Sequence, residues 1–539
     1  MNVIWLLLKA SWLNVSIAIL TGLISGGCSA QLISLINRAI SDNSNQNLVW
    51  YFAGLAVLAL VTGVISQFLL IYLSQEAVYN LRLSLSRGIL SSPLRQLEEL
   101  GASRLLATLT DDVGTLSNTI FVIPFLCIDI AIVVGCLIYL STLSGAVFAV
   151  VFAFLAVTIG AIQLLLNKMR KFFDLAREEK DVLFKHFRSI TDGIKELKLH
   201  SLRRQEFFTE ELQVSAADSR DYNLQALNTG ALAIGVGQLL FFMLMGLLLF
   251  ALPKFVPVST PVLSAYILTS TYLMSPFQNI LERLPEIFRA NTAVEKIERM
   301  GLALASQAEI TAAVQPVKNA DWKMLELKGA THSYPGDKED SNFVLGEISL
   351  KFHPGELVFI MGGNGSGKST FAKLLTGLYI PESGEILLDG QPITDENREW
   401  YRQHFSVIFS DFYLFDRLLG MTNHDLDSQA AEYLQEFHLD RKVKVRDGVL
   451  STTALSQGQR KRLALLTAYL EDRPIYLFDE WASDQDPFFR DIFYKQLLPE
   501  LKRRGKTVFA ITHDDRYFDL ADRAIKLDYG KIEYDRQHG

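Results

Sequence analysis

The chain has 539 residues, 49% of them hydrophobic, a formal net charge of −7 and a mean hydropathy of +0.20. Positive hydropathy excludes an ordinary set of soluble domains, and the acidic balance lacks the basic footprint of a nucleic-acid binder, so no nucleic-acid partner is expected. Apolar residues gather in residues 1–280, whereas residues 320–539 have a soluble balance, so one half is expected in lipid and the other in water.

In chain order, "NVIWLLLKASW" reads as a short helix on the inner membrane surface. No basic stretch precedes it and Lys9 interrupts it, so a cleaved signal peptide is not expected. Crossing a bilayer as a helix takes about 20 apolar residues. Six stretches meet that need, roughly 14–38, 50–74, 119–141, 144–166, 227–252 and 260–280. The links within the first, middle and last pairs are short. Residues 75–118 and 168–226 are long, charged and helix-like. They carry Arg82, Arg87, Arg95 and Arg104, and then Lys168, Arg170, Lys171, Arg177 and further basic residues, while the short links carry only Lys254. The positive-inside rule puts both long connections, and hence both termini, in the cytoplasm.

Asp129 stands inside "FVIPFLCIDIAIVVGCLIYL". A charge at that depth is costly, so it is functional, neutralised by a partner on another helix, or nearer the interface. Pro124 and Pro276 are candidate helix kinks. Cys28, Cys127 and Cys136 all lie in apolar runs without metal-ligand spacing and read as small packing residues.

Residues 1–300 thus form a transmembrane domain, 301–320 a linker, and 321–539 a second domain that opens with strands. In it "IMGGNGSGKST" fits G-x-x-x-x-G-K-[ST], after an apolar β-prone run and before a helical one. Its residues are Gly362, Gly363, Asn364, Gly365, Ser366, Gly367, Lys368, Ser369 and Thr370. Glycines let backbone N–H groups wrap an anion, and the helix N-terminus adds a favourable dipole. Lys368 is placed to reach the β- and γ-phosphates of a nucleotide, and the Ser369 hydroxyl to hold Mg²⁺. Downstream, "RPIYLFDEWASDQDP" ends an apolar strand in two acids. Asp479 is placed to hold Mg²⁺ and Glu480 to polarise an attacking water. His513 ends another apolar strand in "TVFAITHDD".

The stretch "ALSQGQRKRLALLTAYL", with Ser456, Gly458 and Gln459, precedes a helix. Together with the phosphate loop and the paired acids it resembles the ABC ATPase family, whose most specific mark is LSxGQ. The whole chain resembles a half-size ABC exporter of the type IV arrangement. The fold that this implies is an all-α transmembrane domain of six helices followed by an α/β P-loop ABC ATPase domain. The resemblance implies that Tyr334 stacks on adenine and that His513 is a switch histidine at the γ-phosphate. It also implies that Ser456, Gly458 and Gln459 contact ATP held by a second subunit, and that Asp486 lies in the loop signalling between two sites. One phosphate loop and one signature per chain imply a homodimer with two ATP molecules between the subunits. Residues 101–117 and 192–204 are the expected contacts through which the membrane half meets the ATPase half.

Two departures narrow the resemblance. Ser410 stands where ABC domains usually carry a glutamine, and Trp481 replaces the usual proline. With "FSDFYLFD", "DEWASDQDP" and "GIKELKLHS", the chain resembles the cyclic-peptide and siderophore exporter branch, including transporters that accompany pyoverdine, syringomycin and lasso-peptide production. The expected activity is ATP-driven export of a peptide-like metabolite across a bacterial cytoplasmic membrane. Rival expectations are export of a lipid, lipid-linked sugar or drug, and a membrane ATPase that scaffolds a biosynthetic complex.

Overall fold

The computed structural model describes residues 3–41, 47–255, 258–306, 309, 322–334, 343–421 and 425–538. They fall into two units. The first comprises residues 1–86 and 103–302, and the second 87–102 and 303–539.

The first unit is helical. Among the described residues, five stretches are long and apolar enough to cross a membrane: Val15–Ala39, Leu48–Leu90, Phe125–Leu143, Gly145–Asp192 and Ser201–Phe255. The sixth expected stretch, 260–280, is also helical and opens the helix Thr260–Ser306. Its Ser and Thr content keeps it below that apolarity. Thr269 and Ser270 are buried, as suits a helix that faces its neighbours more than lipid. Elsewhere large apolar side chains point outward, among them Leu20, Phe68, Leu164 and Phe250. Such a surface is stable against hydrocarbon and unstable against water.

Small residues set the closest helix approach. A Cβ on Gly26 would meet Ala131 Cβ at 2.5 Å and its carbonyl carbon at 2.8 Å, and one on Gly135 would meet Ala30 Cβ at 3.1 Å. The helices Val3–Ser41 and Val113–Leu143 therefore touch backbone to backbone along this seam. Hydroxyls add cross-helix bonds, with Ser66 donating to the Ala18 carbonyl at 2.7 Å and Tyr266 to Leu140 at 2.7 Å. The charged stretch 168–192, expected as a separate connection, continues its spanning helix without a break through Gly145–Asp192.

Asp129 is 8% exposed, and its carboxylate lies 3.7 Å from Arg283 Nη1 and 3.5 Å from Asn279 Nδ2. The Arg283 guanidinium also lies 4.9 Å from the centre of the Phe125 ring. Asp129 thus has a cationic partner on another helix, one of its expected readings.

The second unit is α/β. Its strands are β1 Leu325–Tyr334, β2 Phe343–Phe352, β3 Leu357–Met361, β4 Ser383–Leu388, β5 Gln391–Pro392, β6 Phe405–Ile408, β7 Val445–Arg446, β8 Val449–Leu450, β9 Ile475–Asp479, β10 Thr507–Ile511, β11 Arg523–Asp528 and β12 Lys531–Gln537. One sheet runs β2-β1-β4-β5 and is antiparallel; the other runs β12-β11-β3-β10-β9-β6, with β11-β3-β10-β9-β6 parallel. Strands β3, β9 and β10 are buried at every position, as parallel strands covered on both faces must be. The unit also contains the short helix Leu94–Leu100, whose sequence lies between membrane helices. Arg95 pairs with Glu382 at 2.5 Å, and Glu98 accepts from Lys373 at 2.7 Å. Within this unit the helix therefore meets the ATPase fold through Arg95 and Glu98, and it ends at Gly101 (φ +78°). The expected linker 301–320 begins inside the helix Thr260–Ser306. Its remainder lies outside the described residues apart from Glu309, which binds Arg402 through both carboxylate oxygens at 2.5 and 2.8 Å.

Candidate functional site: a phosphate cradle at three strand ends

Register explains why distant motifs meet. Ile511 pairs with both Ile360 and Asp479, so β3, β10 and β9 end level with one another. The glycine loop, Thr512–His513 and Glu480 leave the sheet side by side at its carboxyl edge, where open α/β sheets hold ligands.

Positive φ angles bend the loop at Gly362 (+154°), Gly365 (+78°) and Gly367 (+99°). A Cβ at Gly362 would strike the Leu527 carbonyl oxygen at 2.3 Å and Ser366 Oγ at 2.4 Å, so only glycine fits. The helix Lys368–Leu375 then starts at the cradle, bringing Lys368, Ser369 and Thr370 with it. Gly363, Asn364 and Ser366 lie within the turn. Lys368 is 5% exposed and donates from Nζ to the carbonyls of Gly362 (3.1 Å) and Gly363 (2.9 Å). Burial lowers its pKa, while Glu480 and Asp479 oppose the shift.

Asp479 is 1% exposed, and neither carboxylate oxygen has a hydrogen bond of good geometry. Burial raises its pKa; the nearby Ser369 hydroxyl and Ser410 backbone N–H pull the other way. Ser410 therefore faces this acid through its backbone. A buried carboxylate with both oxygens free, beside a hydroxyl, fits a hard divalent cation such as Mg²⁺, and the cradle fits a phosphate chain. Glu480 sits in the left-handed region (φ +49°). Its Oε1 lies 2.9 Å from His513 Nε2 and 3.8 Å from Lys368 Nζ. Glu480 and His513 line a cavity of about 330 Å³ together with Arg490, Asp514 and Arg516. A carboxylate held next to a phosphate cradle can accept a proton from water.

Tyr334, at the end of β1, shares a 2.5 Å hydroxyl contact with Tyr379, which in turn donates to Glu98. Ser456 caps the helix Gln457–Glu471 in a box with Gln459. Gly458 presses against the Asp484 carbonyl, where a Cβ would approach to 2.9 Å. Asp486 caps Pro487–Ile492, accepting from Phe489 N at 2.9 Å, and pairs with Arg462 at 2.5 Å. The Phe489 amide and the Arg462 cation hold its pKa low. Trp481, for which the sequence alone offers no role, is 1% exposed, lies 4.3 Å from Phe493 ring to ring, and donates from Nε1 to the Lys461 carbonyl at 2.8 Å. A proline there could not make that bond. Tyr379, Glu98, Arg462 and Lys461 were not singled out in the sequence, since each acts through a partner far along the chain.

Membrane-crossing helices joined to a P-loop α/β unit with paired acids and a capped signature helix define an ATP-driven membrane transporter. The pattern of the ABC transporter family matches residues 345–483, and that of the ABC transporter transmembrane region matches residues 12–281. The chain is 40% identical over 530 residues to "ATP-binding protein SyrD" of Pseudomonas syringae pv. syringae, covering 96% of this chain and 93% of that protein. It is 25% identical to the "ATP-dependent lipid A-core flippase" of Bordetella pertussis, over 97% and 86% of the two chains. The solved structure of a bacterial Atm1-family ABC exporter with ATP bound shares the fold, with a TM-score of 0.74 at 17% identity over 98% of this chain and 95% of that one. The chain belongs to the ABC transporter family, as an ATP-binding, multi-pass membrane exporter with a helical transmembrane domain and an α/β ATPase domain.

Proposed function

We propose that two copies of the chain export a peptide-like or siderophore-type metabolite across a bacterial cytoplasmic membrane, with both termini on the cytoplasmic side. The cargo class is carried by one observation: end-to-end similarity to SyrD joined with the branch motifs around Ser410, Trp481 and "GIKELKLHS".

The cradle Gly362–Thr370 would hold the phosphates of ATP, with Lys368 at the β- and γ-phosphates. Ser369 and Asp479 would hold Mg²⁺, which when bound supplies positive charge against the phosphate oxygens. Glu480 is assigned as general base, accepting a proton from water, and His513 steadies that carboxylate from its other side. Tyr334 would stack on adenine, its hydroxyl fixed by Tyr379. Ser456, Gly458 and Gln459 would reach the ATP of the second copy, with Asp486 signalling between the sites. Each chain has one cradle and one signature, which supports a pair. Contact at 192–204 is supported by a tip whose Leu199 and Leu202 are 79% and 80% exposed. ATP contacts made only in the closed pair would let binding shift the conformational equilibrium.

A second reading has its own observation. An apolar cavity of about 230 Å³ lies between Phe152, Phe241, Met274 and Phe277, with Thr158, Gln238, Ser270 and Gln278 as its polar residues. It suits a lipid-like cargo, as does the likeness to the flippase.

The test compares culture media and cell extracts by mass spectrometry for cells with the intact chain, without it, and with Glu480→Gln. The variant is expected to bind ATP yet lose about 10²- to 10⁴-fold in ATPase rate, the range for a lost general base. A peptide-like mass that leaves the medium and builds up inside both defective strains supports the proposal. A lipid-like mass behaving so supports the second reading. A compound secreted normally with Glu480→Gln but absent without the chain points instead to a scaffold.

A further inference from the structure

The turn that carries Glu480 is held from the side by the signature helix. Lys461, on Gln457–Glu471, is 2% exposed. An ammonium has three protons to donate and accepts none. Lys461 Nζ places them on the Glu480 carbonyl oxygen at 2.8 Å, the Ser483 hydroxyl at 3.0 Å and the Asp484 carboxylate at 2.7 Å. All three partners lie within residues 480–484. The link also runs the other way, since Trp481 Nε1 donates to the Lys461 carbonyl. Ser483 Oγ itself donates to the Glu480 carbonyl at 2.7 Å, so that one oxygen gathers two donors. One turn earlier on the helix, the Gly458 carbonyl accepts from Gln485 Nε2 at 3.0 Å.

This arrangement answers a backbone question. Glu480 is a non-glycine residue at φ +49°. Such a conformation persists only where its surroundings impose it. The Lys461 ammonium is the buried charge that faces its carbonyl, and each of its three donors finds an acceptor in this turn. The carboxylate of Glu480 meanwhile points to His513 and Lys368. The backbone of Glu480 thus belongs to the signature helix and its side chain to the phosphate cradle.

We propose that Lys461 is a positioning residue for the general base, clamping the Glu480 carbonyl to the signature helix. A shift of Ser456–Gln459 is then passed to Glu480 through a side chain with no slack, so the two halves of the site move as one body. The inference rests on the assignment of Glu480 as base and extends it to a residue that touches no substrate.

The test uses the full chain in lipid nanodiscs. ATPase rate per bound nucleotide is measured for the wild type, Lys461→Met, Lys461→Gln and Glu480→Gln, with fluorescent ATP binding as the normaliser. Lys461→Met is expected to lose about ten- to a hundred-fold in kcat per bound nucleotide, as for a base displaced by an ångström, with KM for ATP changed less than about twofold. Lys461→Gln keeps two donors and is expected to recover at least about threefold over Met. A merely structural lysine would change the amount of binding-competent protein but not this normalised rate. A normalised rate for Lys461→Met within about twofold of wild type overturns the proposal. Should Lys461→Met bind no nucleotide, Asp484→Asn decides: its carboxylate is half exposed and outside the core. It is expected to lose about threefold in normalised kcat, and a wild-type value overturns the clamp. Glu480→Gln separates the two ideas. A Glu480→Gln rate within about tenfold of wild type removes the base assignment, whereas a Glu480→Gln slowed about 100-fold or more beside a wild-type Lys461→Met removes only the clamp.

Discussion

His332 shows how a single residue joins stability to the nucleotide site. Its ring is 1% exposed and stacks 4.4 Å from that of Tyr379, the residue that holds Tyr334. Burial lowers its pKa, and the nearby Arg95 cation lowers it further. The unfolded chain takes up a proton near the ordinary value of 6.5, before the folded chain does. The neutral ring therefore contributes stability that is full above pH 6.5 and lost as pH falls below it. Thermal unfolding of the purified chain between pH 7.5 and 5.5 is expected to show a falling midpoint below about 6.5. In His332→Gln that fall should shrink; an unchanged slope would remove His332 as the cause. The motif residues were legible because their chemistry requires fixed spacing: glycines for the cradle, two acids at a strand end. His332, Tyr379 and Lys461 were not, because each works by a contact that only the fold creates. The role of Trp481 became clear only once its indole N–H was seen to reach another helix.

At the scale of elements, spans read well from apolar runs but their ends did not. The runs at 50–74 and 144–166 stop where charge begins, yet the helices run on through Asn47–Leu90 and Gly145–Asp192. Charge ends burial in lipid without ending a helix, since Lys, Arg and Glu are good helix formers in water. The seam at Gly26 gives the sharpest prediction here. A Gly26→Leu side chain must enter space already filled by Ala131 and the backbone of Ile132. Overpacking of this kind costs about 1–3 kcal/mol or more, so the yield of monodisperse protein and its melting midpoint should fall. Gly54→Leu, with open space around its Cβ position, is the control and should behave as wild type.

For the whole molecule, coupling should depend on the tip at Leu199 and Leu202. Replacing both with Asp leaves the fold intact, because exposed positions tolerate substitution within about 0.5 kcal/mol. The expected outcome is retained ATPase activity with export lost, read by nanodisc ATPase assays beside metabolite release from cells. Normal export in that double variant would move the coupling contact elsewhere.

The unbroken helix Gly145–Asp192 also has a mechanical meaning. Its 48 residues span about 72 Å at 1.5 Å per residue, more than twice the hydrocarbon thickness of a bilayer. It is a stiff rod pivoted in lipid with its long arm in water. With the pivot at the bilayer midplane the arm beyond it is about 57 Å, so a tilt of about 10° swings the far end by roughly 10 Å. Motion at its far end therefore returns to the bilayer as a smaller, more forceful displacement, the mechanical advantage of a crowbar.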